Sequence, residues 1–131
     1  MPNAAIELHD SIVTAIRLGS DVVIDLDAYV HVSEGIPGVD AGTGWSQRAQ
    51  MTVRDGVIRQ TFEGETLCIY SGFVRVDLSR LDNMVPREID TIGTVEIHFV
   101  GAEGELIVSG AGLRVEAVGD PVYVERFPFD V

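Results

Sequence analysis

The stretch DVVIDLDAYVHVSEGIPGVDAGTGW, residues 21–45, opens with the clearest strand pattern of the chain and runs into a glycine-rich segment. Hydrophobic side chains occupy the even positions from 22 to 32, and the odd positions from 25 to 31 are polar or aromatic. Because side chains alternate between the two faces of a β-strand, this pattern predicts one buried and one polar face. The preceding segment 11–19 has strand character, and the turn residues 19–21 predict that the two segments pair as a hairpin.

Most of the remaining chain has the same period of two. Residues 50–62 have the pattern of a hairpin with a two-residue turn at Asp55-Gly56. The alternation breaks before Pro86, and we expect at most one short helical turn near residues 79–85. Further strands, separated by short glycine-containing turns, are predicted over residues 72–79, 93–100, 104–110, 112–119 and 121–127.

These patterns predict an all-β fold. The 131 residues, of which 46% are hydrophobic, suffice for one hydrophobic core, and we expect a single β domain over residues 1–131. Its expected architecture is an antiparallel β-sandwich or a partly closed barrel of about 8–10 short strands. Both arrangements protect the edges of many short strands.

The charge of the chain limits its partners. The formal net charge is −12, and all nine basic residues are arginines. A negative field repels the phosphates of nucleic acids and of anionic lipids, so we expect neither a nucleic acid nor a membrane as a partner. The acidic surface either keeps the protein soluble or receives a basic protein. The absence of lysine excludes Schiff-base chemistry and the amine of a phosphate loop.

Cysteine content and the first residues indicate the compartment. Cys68 is the single cysteine, so no internal disulfide is possible, and its apolar neighbours predict a buried structural thiol. The segment MPNAAIELHD (1–10) lacks the basic and apolar regions of a signal peptide, and no apolar run is long enough to span a membrane. These features favour the cytoplasm.

The polar face of the strand within 21–32 is the first candidate site. Neighbouring side chains on such a face lie about 6–7 Å apart, and a hard cation needs more converging oxygens than one strand supplies. One interpretation is a solvated face on which Arg17, Arg54 or Arg59 pairs with the aspartates. The other is a binding face. Its candidate residues are Asp25, Asp27, Tyr29, His31 and, from the following segment, Trp45.

Residues 33–45 predict a long ordered loop. Its glycines permit close backbone approach, but no lysine and no helix follow, so the loop does not match a phosphate-binding motif. Ile36, Val39 and Trp45 are apolar and need a packing partner. The loop therefore either caps an open end of the fold or presents a contact surface to a partner or to a second subunit.

The remaining candidates are isolated polar residues. Because adjacent strand residues point to opposite faces, a neighbouring histidine and aspartate are not a ready-made catalytic pair, and we expect Asp10 or Ser11 to turn the backbone instead. A metal site that combines the histidines is an alternative, although no motif identifies a metal. No motif requires a cofactor, and we expect none. These weaker candidates are His9, Asp10, Asp40 and His98.

LHDS (8–11), followed by AYVHVSEGIPGVDAGTGW (28–45), resembles a group of small bacterial proteins. In that group a His-Asp-Ser strand near the N-terminus precedes a similar strand and a Pro-Gly/Gly-Thr-Gly-Trp loop. The resemblance covers approximately residues 8–47 and implies no particular activity. It implies that this segment is a feature of the fold rather than a chance loop.

The sequence shows no recognisable catalytic set and favours a non-enzymatic protein. We expect a binding or interaction module that uses the strand face and loop of residues 25–45, with itself as a homodimer or a basic protein as partner. One alternative is an immunity-type protein that neutralises a basic toxin. Another is a small metal- or ligand-binding β protein, or an enzyme, that uses histidine and aspartate residues.

Overall fold

The computed structural model describes residues 2–128. This part of the chain has no helix, and the predicted all-β class is confirmed. The predicted domain over residues 1–131 also includes Met1 and residues 129–131, which lie outside the described residues. Between residues 2 and 128 the ten strands are β1 Asn3–Leu18, β2 Val22–Ser33, β3 Gly42–Arg54, β4 Val57–Gln60, β5 Leu67–Val76, β6 Ser79–Asp82, β7 Met84–Pro86, β8 Ile89–Gly101, β9 Gly104–Ala117 and β10 Val122–Phe127.

The strands form a barrel rather than a sandwich. Six strands of the described chain close an antiparallel ring in the order β1, β2, β3, β9, β8 and β5, and β5 returns to β1. The first half of β3 pairs with β10, which lies outside the ring, and its second half pairs with β9. The predicted hairpin of β1 and β2 is present, with Leu18 opposite Val22.

Alternating side chains of the ring fill its interior. The even-numbered side chains of β2 from Val22 to Val30 are buried, as the sequence pattern predicts. Side chains of neighbouring strands meet them, and the interior is a packed core of the kind found in small barrels. Among the largest fully buried side chains are Ile24, Met51, Leu67, Ile97, Phe99 and Leu113.

The short helical turn that the sequence allowed near residues 79–85 is absent, because this segment forms β6 and β7. β6 folds back on β5 through a two-residue turn, and Asp77 has a positive φ of 52° there. The chain then changes partner at Asn83, whose φ is 62°, and β7 pairs with β1. The alternation breaks because the neighbouring strand changes, not because the backbone becomes helical.

The hairpin predicted for residues 50–62 is also wrong. Within residues 2–128, β3 and β4 are not paired with each other, and both pair with β9. Gly110 lies between the part of β9 that pairs with β3 and the part that pairs with β4. A Cβ atom at this position would lie 2.5 Å from the Arg54 carbonyl oxygen, so only glycine lets β9 continue past the end of β3. Residues 104–117 therefore form one long strand instead of the two predicted strands.

The expected burial of Cys68 is wrong as well. The residues on either side of it, Leu67 and Ile69, are buried, and Cys68 is exposed. Because neighbouring side chains of a strand point to opposite faces, two inward-facing neighbours place Cys68 on the outside. An apolar sequence context therefore did not indicate burial at this position.

β1 contains a bulge at residues 8–11. Glu7 pairs with Tyr29 and Ile12 with Asp27, so four residues of β1 lie opposite one residue of β2. The Ser11 hydroxyl takes the place of the backbone hydrogen bonds that the bulge interrupts between β1 and β2. It donates a hydrogen bond to the Glu7 carbonyl (2.7 Å) and accepts one from the Tyr29 amide (3.0 Å). β-Bulges redirect side chains in this way and lie preferentially beside functional sites.

Asn83 satisfies the other edge of the bulge. Its carbonyl oxygen accepts a hydrogen bond from the Leu8 amide (2.7 Å), and its side-chain oxygen accepts one from the His9 amide (2.8 Å). β1 pairs with β7 before the bulge and with β5 after it. The bulge is therefore the point at which β1 exchanges one neighbour for another and the barrel closes.

We expect Ser11→Ala to lower the free energy of unfolding by about 1–3 kcal/mol, because it leaves a buried amide and carbonyl without partners. Urea unfolding followed by circular dichroism measures the change. Ser20→Ala, in the exposed turn between β1 and β2, is the matched control and should unfold like the wild type. Equal midpoints for the two variants would contradict a bridging role for the Ser11 hydroxyl.

Candidate functional site

The first half of the candidate strand face carries paired aspartates. Arg17 donates a hydrogen bond to the Asp25 carboxylate (2.9 Å), and the Ser46 hydroxyl donates one to the Asp27 carboxylate (3.1 Å). The pair of Arg17 and Asp25 is one that the solvated-face interpretation expects. These two aspartates belong to a solvent-accessible surface and do not converge with Tyr29 and His31, which lie further along β2.

The second half of the face holds β10. The Tyr29 hydroxyl donates a hydrogen bond to the Glu125 carboxylate (2.6 Å), and His31 Nε2 contacts the Glu7 carboxylate. The His31 ring stacks on Phe127 with a centroid distance of 4.7 Å, and Tyr29 meets the His31 ring edge-on at 5.1 Å. His31 is buried, although it lies on the polar face of β2, because β10 covers it.

The environment of Tyr29 disfavours its phenolate. Burial of the side chain is the largest effect that raises the pKa of Tyr29 above its ordinary value of about 10. The hydrogen bond to Glu125 and the nearby negative charges of Glu7 and Asp10 raise it further. Tyr29 is therefore a neutral hydrogen-bond donor near neutral pH, which suits holding β10 and does not suit a general base.

The bulge opens an outer cleft of about 420 Å³ between β1, β5, β6 and β8. His9 and His98 both line it, so the fold brings two of the weaker candidates into one site. The Tyr70 carbonyl accepts a hydrogen bond from His9 Nδ1 (2.6 Å). In a neutral imidazole Nε2 then carries the lone pair, and this atom lies 3.9 Å from the Asp10 carboxylate.

The other wall of the cleft is aromatic and charged. The Arg80 guanidinium lies 3.9 Å from the centroid of the Phe73 ring, and its Nε donates a hydrogen bond to the Asp82 carboxylate (2.8 Å). His98 meets the same phenyl ring edge-on, with a centroid distance of 5.4 Å. His98 Nε2 lies 3.5 Å from the Glu105 carboxylate. The cleft therefore combines a base, a cation and an aromatic surface.

The loop after β2 is shorter than predicted. β2 ends at Ser33 and β3 begins at Gly42, so the connection comprises residues 34–41 and Trp45 lies on a strand. The Asp40 carboxylate accepts a hydrogen bond from the Ile36 amide (2.6 Å), and the Ser33 hydroxyl donates one to the Ala41 carbonyl (2.7 Å). Asp40 therefore orders the loop.

Trp45 lies at one end of the barrel core, together with Ala4 and Val32. The Thr43 hydroxyl accepts a hydrogen bond from the Trp45 indole (2.8 Å), and the Tyr123 ring of β10 meets the indole edge-on at 5.4 Å. We call the opening in front of Trp45 the barrel mouth. The barrel mouth is a recess of about 270 Å³ lined by Pro2, Ala4, Val32, Trp45, Arg87 and Pro121.

Arg87 is a site residue that the sequence did not reveal. It lines the barrel mouth and a neighbouring recess of about 430 Å³, which also includes Pro37 and Glu88. No local pattern marks Arg87, because it reaches the barrel mouth through the pairing of β7 with β1. Its place in a segment that broke the strand pattern gave no indication of a role.

Comparisons with known proteins do not assign these sites. No family model matches the chain, and neither the curated proteins nor the solved structures give a match. In the described part of the chain, no three histidine, cysteine, aspartate or glutamate side chains are arranged to hold a metal ion. Among residues 2–128 there is also no helix of the length and hydropathy needed to cross a bilayer. The resemblance to the group of small bacterial proteins stays a prediction.

We expect Tyr29→Phe to make stability less dependent on pH in alkaline solution. The unfolded chain releases the tyrosine proton near pH about 10, whereas the raised pKa keeps Tyr29 protonated in the folded state, so the wild type loses stability as the pH rises. Urea unfolding between about pH 8 and pH 11.5 measures this dependence. The variant should show a shallower decline above about pH 10 and the same slope below it. Parallel curves throughout would contradict the assignment.

Proposed function

We propose that the protein is a non-enzymatic binding module that takes its ligand at the barrel mouth. The observation that carries the proposal is the open apolar recess in front of Trp45, which is the single tryptophan of the chain. Barrel mouths are common positions for ligand sites, because strands fix the walls while the end of the core stays accessible. Trp45 belongs to the segment 25–45 in which the sequence placed a binding surface.

The side chains that line the recess are held in fixed positions, which supports binding. A hydrogen bond to Thr43 and an edge-on contact with Tyr123 hold the indole of Trp45 in place. Prolines on the rim further restrict the backbone. A preorganised surface loses little conformational entropy when a ligand binds, so more of the contact free energy contributes to affinity.

The polar face of β2 contributes indirectly. Glu125 and Phe127 of β10 are held by Tyr29 and His31, and this contact keeps Tyr123 beside the indole of Trp45. The face that the sequence marked as a candidate site thus shapes the barrel mouth without contacting the ligand. Its paired side chains support structure rather than catalysis.

Fluorescence of Trp45 tests the proposal with a neutral apolar probe, 3-phenylpropan-1-ol. We expect a saturable change in wild-type emission. Ala4→Leu fills part of the recess and should weaken binding by at least about tenfold, which corresponds to roughly 1.4 kcal/mol. Ala102→Leu, in the exposed turn after β8, is the matched control and should bind like the wild type. An emission that never saturates, or equal binding by both variants, would contradict a site at the barrel mouth.

The outer cleft supports a second candidate function, a small-ligand site or an enzyme that uses histidine. The observation that favours it is His9, whose Nδ1 is occupied by the Tyr70 carbonyl while Nε2 is the available base. Strained backbone often marks functional sites, and Asn83, with its positive φ, lies in the wall of this cleft.

Diethyl pyrocarbonate distinguishes the three histidines of the chain. We expect one fast-reacting histidine, because His31 and the Nε2 atom of His98 are buried, whereas the His9 side chain is about half exposed. The absorbance at the wavelength of the ethoxycarbonyl adduct follows the reaction. His9→Gln should remove the fast phase and His98→Gln should retain it. A fast phase that survives in His9→Gln would exclude His9 as the accessible base.

Self-association and the immunity-type function stay predictions. β10 is an edge strand, because it pairs only with β3 among the described strands. Its side chains Val122, Tyr123 and Val124 are exposed. An exposed apolar edge strand is suited to pairing with another chain, which supports self-association.

The net charge of −12 supports the alternative of a basic partner, such as the toxin that an immunity-type protein would neutralise.

A further inference from the structure

We infer that the ligand of the barrel mouth carries a single carboxylate on an apolar body, and that Arg87 binds the carboxylate. The inference rests on the proposed binding function and names the class of its ligand. It arises from the partial burial of the Arg87 side chain and from the absence of a partner for its guanidinium among residues 2–128. Arg87 is half-buried at the edge of the recess, in a protein whose other basic groups mostly lie on the surface.

The guanidinium of Arg87 has no partner in residues 2–128. Its Nε is shielded from solvent and makes no hydrogen bond there. A ligand in the recess does not reach the shielded Nε, so the terminal nitrogens of Arg87, which pair with no carboxylate of residues 2–128, are the donors that a ligand would occupy. The contrast with other arginines is clear. The arginines that pair with carboxylates are Arg17, Arg54, Arg75, Arg80 and Arg114.

The backbone fixes Arg87 where a ligand would enter. β7 pairs with β1, with Pro86 opposite Ala5. The Arg87 amide then donates a hydrogen bond to the Ala4 carbonyl (3.2 Å). Arg87 therefore belongs to the rigid rim of the barrel mouth, and its position does not depend on a flexible loop.

The surroundings of Arg87 select the chemistry of the ligand. Ala4, Val32 and Trp45 provide an apolar wall, which accepts a hydrocarbon or aromatic body. One guanidinium offers a planar pair of donors that matches the two oxygens of a carboxylate. A phosphate dianion fits less well, because Glu88 lines the adjoining recess and the protein has a net charge of −12.

The size of the recess limits the body of the ligand. A volume of about 270 Å³ corresponds to about nine water molecules at about 30 Å³ each. A phenyl ring with a short alkyl chain is of this order. The adjoining recess, which shares Pro2, Ala4 and Arg87, offers additional room beside the guanidinium. A small aryl or alkyl monocarboxylate is therefore the class that the site takes.

Two probes of the same shape test the inference. Titration of Trp45 fluorescence with 3-phenylpropionate and with 3-phenylpropan-1-ol compares a carboxylate with its neutral counterpart on wild-type protein. We expect the carboxylate to bind at least about tenfold more tightly, as for a hydrogen bond to a charged group. This comparison does not require any variant to fold.

Two substitutions then assign the preference. Arg87→Met keeps the length of the side chain, and we expect it to abolish the preference for 3-phenylpropionate over 3-phenylpropan-1-ol, whatever the affinity for the neutral probe. Arg59→Met on β4 removes an arginine that does not line either recess, and it should retain the wild-type preference.

The outcomes separate the inference from the proposed function. If wild-type protein binds both probes equally, the barrel mouth is a site for apolar ligands and the assignment of a carboxylate to Arg87 is wrong. If neither probe binds, the proposed function fails as well. If Arg87→Met keeps the preference, the carboxylate is bound elsewhere and the inference is wrong.

Discussion

The closure of the barrel depends on the bulge at residues 8–11 of β1, which the hydroxyl of Ser11 spans with two hydrogen bonds. One strand, β1, has to pair with β7 along its first part and with β5 along its second. The change of partner leaves backbone groups without a ladder, and buried backbone groups need hydrogen bonds. Ser11 and Asn83 provide these bonds from either edge of the bulge. With these groups satisfied, the ring closes and the alternating side chains enclose one core.

The same interruption produces the outer cleft. The bulge turns His9 outward, and the segment that fills the gap between β1 and β5 carries Arg80 and Asn83 into the walls. The adjacent His-Asp pair of the sequence thereby becomes two exposed side chains beside an opening. A local irregularity of the backbone is therefore both the condition for closure and the origin of a candidate site.

The barrel mouth and the polar face of β2 act as one structure. The face binds β10 through Tyr29 and His31, and β10 in turn supports the indole of Trp45. Asp25 and Asp27, in the first half of β2, are hydrogen-bonded to Arg17 and Ser46 and take no part in this contact. The ligand chemistry that we propose thus depends on the end of the core, where apolar walls meet the guanidinium of Arg87, which is unpaired in the described chain.

The sequence by itself determined the all-β class, the hairpin of β1 and β2, and the buried side of β2, because alternation and turn chemistry are local properties. Only the tertiary structure decided which strands pair. It paired β3 and β4 one after the other with the same edge of β9, replaced the expected helical turn by β6 and β7, buried His31 under β10 and brought Arg87 and Trp45 into one recess. These outcomes depend on partners distant in the chain, and a period of two describes a strand equally well whichever neighbour it has.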